Sequence, residues 1–345
     1  MKTFTELMPL FPNNQTILDT VAKTLDHIED GKKIMVSVSG GADSDILVDL
    51  FETIGYEPGQ VVYVFLNTGI EMDATLRHLD YLEHKYGIKI ERLKAKTPVP
   101  LGVKRVGVPF LSKQVSIYIS RLQAHGFNWS LHGKENTSFD ELIKLYPQCR
   151  SALRWWCNDW GKESSFNIDR HAGLKDFISA NPPPKISDQC CNLSKKNLSY
   201  EAEKLFHPDI TVVGVRRAEG GKRATANKTC FTPAGKHAAQ FRPIFFWSNT
   251  DRVEYETFRC VVHSDCYGVY GFPRTGCAGC PFGSGFEQEL EALKKYEPKL
   301  YKAACNIFGE SYEYTRKYRK FKESWKREKR RGGQIDLFDN WEDLI

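Results

Sequence analysis

The stretch Ile34-Met35-Val36-Ser37-Val38-Ser39-Gly40-Gly41-Ala42-Asp43-Ser44-Asp45-Ile46-Leu47-Val48 decides the fold. An apolar run leads into a glycine pair, and a second apolar run continues through Asp49-Leu50-Phe51, so the segment reads as strand, tight turn and helix. Glycine lets the backbone turn and approach a ligand without a Cβ in the way. The first amides of the helix have no intrahelical partner and face the positive end of its dipole, which suits phosphate. Ser39 and Ser44 add hydroxyl donors, and Asp43 is placed to hold Mg2+ or to orient a phosphate-bound ion. A Ser-capped turn of any α/β protein would need only part of this string. The full Ser-Gly-Gly-x-Asp-Ser pattern between strand and helix points to a nucleotide.

The elements around the loop follow in alternation. Residues 14–30 place Ile17, Leu18, Val21, Leu25 and Ile28 on one helical face. Gly55 and Pro58-Gly59 stop the helix after the loop, and Val61 to Leu66 is a continuous apolar run, as expected of a buried parallel strand. A helix over 71–86 and a strand over 88–93 come next, and Ile210 to Val215 reads as another strand. The pattern predicts an α/β fold with a doubly wound parallel sheet and ligand at the carboxyl ends of its strands. Those ends carry the phosphate loop and Asn67-Thr68-Gly69; taken alone, the latter reads as an ordinary Thr-Gly turn. The expected layout is an N-terminal helix over 1–30, an adenine-nucleotide domain over 31–255, and a Cys-x-x-Cys segment with a basic tail over 256–345. Two closing helices are expected at 286–308 and 311–331.

At 345 residues, 41% apolar and 27% charged, the composition is that of a globular protein. No apolar run approaches the ~20 residues needed to span a bilayer, and Met1 to Glu6 lacks a signal-peptide layout, so a cytoplasmic protein without a membrane partner is expected. The net charge of +6 is local. Residues 316–331 hold ten Lys or Arg and two acids, and without them 39 basic and 41 acidic residues remain. Arg316-Lys317-Tyr318-Arg319-Lys320-Phe321-Lys322 mixes cations and aromatics, which suits a nucleic-acid backbone and base stacking as well as it suits a solvated basic helix.

Ten cysteines in a reducing compartment point to metal rather than disulfides. Cys277-Ala278-Gly279-Cys280 is a Cys-x-x-Cys knuckle, and Cys190-Cys191 offers its companions, Cys191 lying 86 positions before Cys277. Four thiolates suit zinc or an iron–sulfur cluster on softness, and two adjacent cysteines are awkward on one zinc. Cys157 and Cys266 are the alternatives to Cys190 as fourth ligand. After the strand at 210, Gly214-Val215-Arg216-Arg217-Ala218-Glu219 and Arg223 gather three guanidinium groups, each always charged and able to bind an oxyanion bidentately.

Together these strings resemble the phosphoadenylyl-sulfate and adenylyl-sulfate reductase family of the ATP pyrophosphatase superfamily, over roughly residues 30–285. The resemblance implies an adenine nucleotide-binding fold of the α-hydrolase-like kind, ATP at Ser39, Gly40, Gly41, Asp43 and Ser44, and a second nucleotide contact at Asn67, Thr68 and Gly69. It implies a nucleotide and sulfate loop at Gly214, Arg216, Arg217 and Glu219, and a [4Fe-4S] cluster on Cys190, Cys191, Cys277 and Cys280, with zinc as the alternative. Pro243-Ile244, Trp247, Asp251 and Arg274-x-Gly276-Cys277 resemble the family as well. Where the reductases carry a nucleophilic cysteine in a Glu-Cys-Gly-Leu-His string near the C-terminus, this sequence has no cysteine after Cys305. Many reductases have lost the full phosphate-loop string, which is intact here.

The expected activity is therefore an ATP-using enzyme that releases pyrophosphate and adenylylates an acceptor for sulfur chemistry. Asp43, Arg216 and Arg223 are the candidate catalytic groups. Nucleic acid is one candidate acceptor, through thiolation or phosphorothioation, with a sulfur-donor or reductant protein as partner. A genuine sulfonucleotide reductase is the second reading, and a non-catalytic, nucleotide- or cluster-dependent nucleic-acid sensor the third.

Overall fold

The computed structural model describes residues 2–134, 137–220, 227–283 and 285–333. The chain divides into two compact units, each made of separate stretches of sequence. The first comprises Met1–Pro100, Cys191–Gly279 and Glu287–Lys302; the second comprises Leu101–Cys190, Cys280–Phe286 and Ala303–Ile345. The sequence alone suggests contiguous segments at 1–30, 31–255 and 256–345.

In the first unit, helix α1 (Gln15–Glu29) is capped by Asn14, whose side chain accepts from Thr16 N and Ile17 N. Strand β1 (Ile34–Val38) runs through the glycine pair into helix α2 (Ala42–Ile54). Strand β2 (Val61–Asn67), helix α3 (Asp73–Tyr86), strand β3 (Ile90–Lys94) and helix α4 (Asn197–Phe206) follow, then β4 (Ile210–Val212), β5 (Phe231–Thr232), β6 (Ala239–Phe241) and helix α5 (Asn249–Arg259). The strands form one sheet in the order β3-β2-β1-β4-β6-β5, parallel throughout except for the antiparallel edge pair β5 and β6. The doubly wound expectation holds.

Period-two alternation divides the side chains of β1 between the two faces. Ile34, Val36 and Val38 join a large core with α1, α2 and α3, while Met35 packs with Val64 and with Ala202 of α4 on the other face. The strand order reverses between β1 and β4, which places the switch point of the sheet at the carboxyl ends of these two strands. In open α/β sheets ligands bind at such a switch point.

Strand β4 is shorter than the expected 210–215. Its reach is limited by Gly214, where an added Cβ would come within 3.0 Å of the Asp43 backbone, so the chain turns past the phosphate loop instead of extending.

The second unit is mainly helical, with segments Lys113–Ala124, Arg150–Trp156 and Leu174–Ala180. Trp155 and Trp156 are fully buried, Phe127 and Trp129 pack edge-on against Trp156, and Tyr146 is tilted against Phe127. The expected break near 309–310 is absent. One helix covers Phe286–Tyr296 and the next covers Pro298–Gly333. Pro298 lacks an amide and fits only the first turn of a helix, so the break falls there. Gly309 within the last helix costs about 1 kcal/mol relative to Ala, and the buried Phe308, Tyr312 and Tyr318 on the same helix offset it. Among the described residues no helix is long and apolar enough to cross a membrane.

Candidate functional site

The loop between β1 and α2 is tied by one hydroxyl. Ser44 Oγ donates to Gly41 O at 2.7 Å and accepts from Gly41 N at 3.1 Å and Ser39 N at 3.2 Å, so Ser44 shapes the loop from below. Gly40 has a φ of +64°, and an added Cβ would come 2.7 Å from Thr75 Cγ2, so both dihedral and space demand glycine. The amide of Ala42, first residue of α2, donates to the Tyr267 hydroxyl at 2.8 Å. Ser39, at the exposed tip, has its hydroxyl 3.2 Å from Ser44 Oγ.

Across the switch point, Arg216 meets this loop. Its Nε donates to Asp43 Oδ1 at 2.9 Å and its Nη1 to Asn249 Oδ1 at 3.0 Å, and the residue is only 4% exposed. Burial raises the pKa of Asp43, and the Arg216 charge pulls it back in part. A guanidinium fixed at this point by a carboxylate and an amide is pre-aimed at an anion on the loop. Glu219 Oε2 accepts from the Arg216 amide at 3.3 Å and so braces the turn. The three arginines separate in their roles. Arg217 is exposed with its guanidinium 5.6 Å above the Phe246 ring, and Arg223 lies outside the described residues.

Beneath α2 runs a buried ionic chain. Asp45 Oδ2 lies 2.8 Å from His263 Nδ1 and 3.1 Å from His78 Nε2, and His263 Nε2 lies 3.0 Å from Glu256 Oε1, which also takes Arg252. Burial opposes the charge on His263, but its hydrogen bonds to Asp45 and Glu256 prevail and raise its pKa to about 9. His263 is therefore an imidazolium at neutral pH, clamping the first turn of α2 to α5.

The Asn67-Thr68-Gly69 turn largely satisfies itself: Gly69 N donates to Asn67 Oδ1 at 2.9 Å, and the Thr68 amide and hydroxyl both donate to Glu71. Thr68 Oγ1 also lies 3.5 Å from Cys277 Sγ, and Ala278 N donates to Ile70 O, so the knuckle cysteine sits on this turn. Burial pushes the Cys277 thiol up to about 11, with Glu71 adding to the shift and Thr68 and Lys195 opposing it. Cys191 is near enough to raise it further. Two of the four expected ligands, Cys191 and Cys277, thus share surroundings in the first unit, while Cys190 and Cys280 belong to the second. Among the described residues no group of three or more His, Cys, Asp or Glu side chains stands close enough to hold a metal ion. The donor chemistry suits a soft metal. Of the alternatives, Cys266 is fully buried against Met72 Sδ at 3.5 Å, and the Cys157 thiol donates to Thr137 O.

Other motif residues turn out to be scaffold. Trp247 Nε1 donates to Thr20 Oγ1 inside the core, and Asp251 closes a capping box with Ser248 at the start of α5. In the basic tail Tyr318 is buried and donates to Ala172 O, with its ring against Phe177, so it is not offered for base stacking as expected. Lys317, Lys320, Lys326, Arg327 and Lys329 face outward. Sequence reading missed Asn249, Arg252, His263 and Tyr267. Asp45, directly after the motif, carried a signal, since a carboxylate on the inner side of a buried helix needs partners.

The chain is 27% identical over 280 residues, 81% of its length, to an uncharacterised protein of Methanocaldococcus jannaschii, and spans 42% of that relative's length. Among solved structures it resembles a phosphoadenylyl-sulfate reductase from Candida auris in a phosphate complex (11% identity, TM-score 0.41, covering 80% of this chain and 96% of that one). It also resembles the U34-tRNA thiolase NcsA of Methanococcus maripaludis with its [4Fe-4S] cluster (15% identity, TM-score 0.36, covering 90% and 79%). The family described as phosphoadenosine phosphosulfate reductase domain matches residues 33–110 and 117–282. That match takes in more than half of the sequence, and the chain belongs to this family.

Proposed function

We propose that this chain is an ATP pyrophosphatase-type enzyme: it seats ATP on the Ser39–Ser44 loop, releases pyrophosphate, and leaves an adenylylated acceptor for sulfur chemistry. The observation that carries the reading is the buried Arg216, held by Asp43 across the switch point from an intact phosphate loop. A pre-positioned cation at the triphosphate neutralises charge as it builds on the leaving pyrophosphate, and the loop amides and Ser39 hydroxyl hold the phosphates in line. Adenylylation turns an oxygen of the acceptor into a good leaving group. Mg2+ held beside the loop by the Asp43 carboxylate would supply further charge neutralisation, and Arg217 and Arg223 stand as additional anion contacts in the same reading.

A nucleic-acid acceptor fits the outward cations of the last helix, and a sulfur-donor or reductant protein completes the reaction. Cys190, Cys191, Cys277 and Cys280 are proposed as ligands of a [4Fe-4S] cluster, with zinc as the alternative. The second reading, a sulfonucleotide reductase, is favoured by the family match itself. The two are separated by exchange of labelled pyrophosphate into ATP, with tRNA or DNA as acceptor. Exchange supports ATP activation, whereas its absence together with sulfite release from adenylyl sulfate or its 3′-phosphorylated form supports the reductase.

A further inference from the structure

Tyr267 lies in the short turn Asp265–Gly268, which Ser264 caps; the Tyr267 amide donates to Ser264 O at 2.9 Å. Its ring packs 5.6 Å from the His263 ring, which the Asp45 and Glu256 carboxylates hold from both sides. The side chain is thus fixed at both ends, and its hydroxyl is aimed at the glycine pair. It accepts from Ala42 N at 2.8 Å, and a Cβ added to Gly41 would lie 3.2 Å from it and 2.8 Å from Thr275 Oγ1. The Ala42 amide is the first of the unpaired donors that open α2, the group a phosphate oxygen at this loop would take.

We propose that Tyr267 is a nucleotide-binding residue whose hydroxyl passes from the Ala42 amide to a phosphate oxygen when ATP seats on the loop. The inference rests on the nucleotide reading given above. The direction of the exchange follows from bond strength. An amide–phenol hydrogen bond joins two neutral groups, whereas amide–phosphate and phenol–phosphate bonds are charge-assisted and roughly twice as strong. The phosphate therefore captures the amide. The ring, held by its own backbone turn and by His263, leaves its O–H within reach of the same oxygen. Thr275, whose hydroxyl and amide both approach the phenol oxygen, supports it from the opposite side of Gly41.

The test is titration calorimetry of the full chain with sodium pyrophosphate and with ATP, on wild type, Tyr267→Phe and Thr275→Val, with melting temperatures taken in parallel. Tyr267→Phe is expected to melt close to wild type and to bind both ligands about tenfold more weakly, and Thr275→Val to weaken them in the same direction by less. Unchanged affinity in both variants, or tighter binding by Tyr267→Phe as for a hydroxyl that merely blocks the loop, overturns the role of Tyr267. Failure of wild type to bind either ligand overturns the nucleotide reading itself, and this inference with it.

Discussion

Arg216 and Asp43 form a buried ion pair, Nε to Oδ1 at 2.9 Å, with side chains 5% and 14% exposed, and the pair joins the loop after β4 to the loop after β1. Removing one partner strands the other in a site with little water. Arg216→Met and Asp43→Asn are each expected to cost about 3 kcal/mol of stability. The double variant should lose less than the two singles summed, as a double-mutant cycle by chemical denaturation would record. Arg216→Lys keeps the charge and loses the fork, and turnover is expected to fall about a hundredfold. Strict additivity, with the double variant losing the full sum of the two singles, would mean that the pair is not coupled.

The imidazolium at His263 makes stability depend on pH. Its folded pKa of about 9 lies above the ordinary 6.5, so its contribution is fully present below pH 6.5 and disappears as pH rises through 9. The shift corresponds to about 3 kcal/mol. Denaturation midpoints of wild type are expected to fall across that window, and those of His263→Gln to start lower and stay flatter. Parallel profiles would show that the clamp between Asp45 and Glu256 is not titrating there.

Gly40→Ala places a Cβ 2.7 Å from Thr75 Cγ2 on a residue with φ of +64°. The backbone strain alone costs about 2 kcal/mol. Loss of melting temperature is expected together with loss of ATP binding, because the same turn aims the Ala42 amide. Gly55→Ala serves as the contrast: φ is +81° but nothing stands within 4 Å, so only a dihedral cost is expected and ATP binding should persist.

For the thiols, protein purified without oxygen is expected to contain about four iron and four sulfide per chain, and Cys277→Ala to lose both. Zinc in place of iron would assign the thiols to a structural site, and absence of any metal would leave Cys191 and Cys277 as half-buried thiols.

In the last helix, Lys317→Glu with Lys320→Glu changes outward charges only, so stability should stay within about 0.5 kcal/mol of wild type. Affinity for tRNA or DNA, and its dependence on salt, should both fall, as a fluorescence titration at two salt concentrations would measure. Tyr318→Ala empties a packed site under Phe177 and is expected to cost about 3 kcal/mol without touching the charge.

Much of this was legible in the chain because it is written locally. The alternation of β1 and the glycine pair fix strand, turn and helix within fifteen residues, and the apolar run of β2 marks a strand covered on both faces. The partners that complete the site were not legible, because they arrive from far along the sequence: Asn249 and Tyr267 meet Arg216 and Ala42 only through the packing of α5 and of the turn at Ser264. The helix break at Pro298 departs from the expected position for a related reason. Gly309 looks like a stop by local preference, and buried aromatics decide otherwise. The domain layout read as contiguous segments because nothing local announces that Cys191–Gly279 returns to the first unit.

What the protein makes of ATP tests the proposed activity most directly. Protein purified anaerobically is incubated with magnesium and ATP in the presence of tRNA or DNA, and the phosphorus products are resolved by NMR. Pyrophosphate with AMP or an adenylylated acceptor, lost in Arg216→Lys, is the predicted result. ADP and inorganic phosphate, or untouched ATP that nonetheless binds, would contradict it.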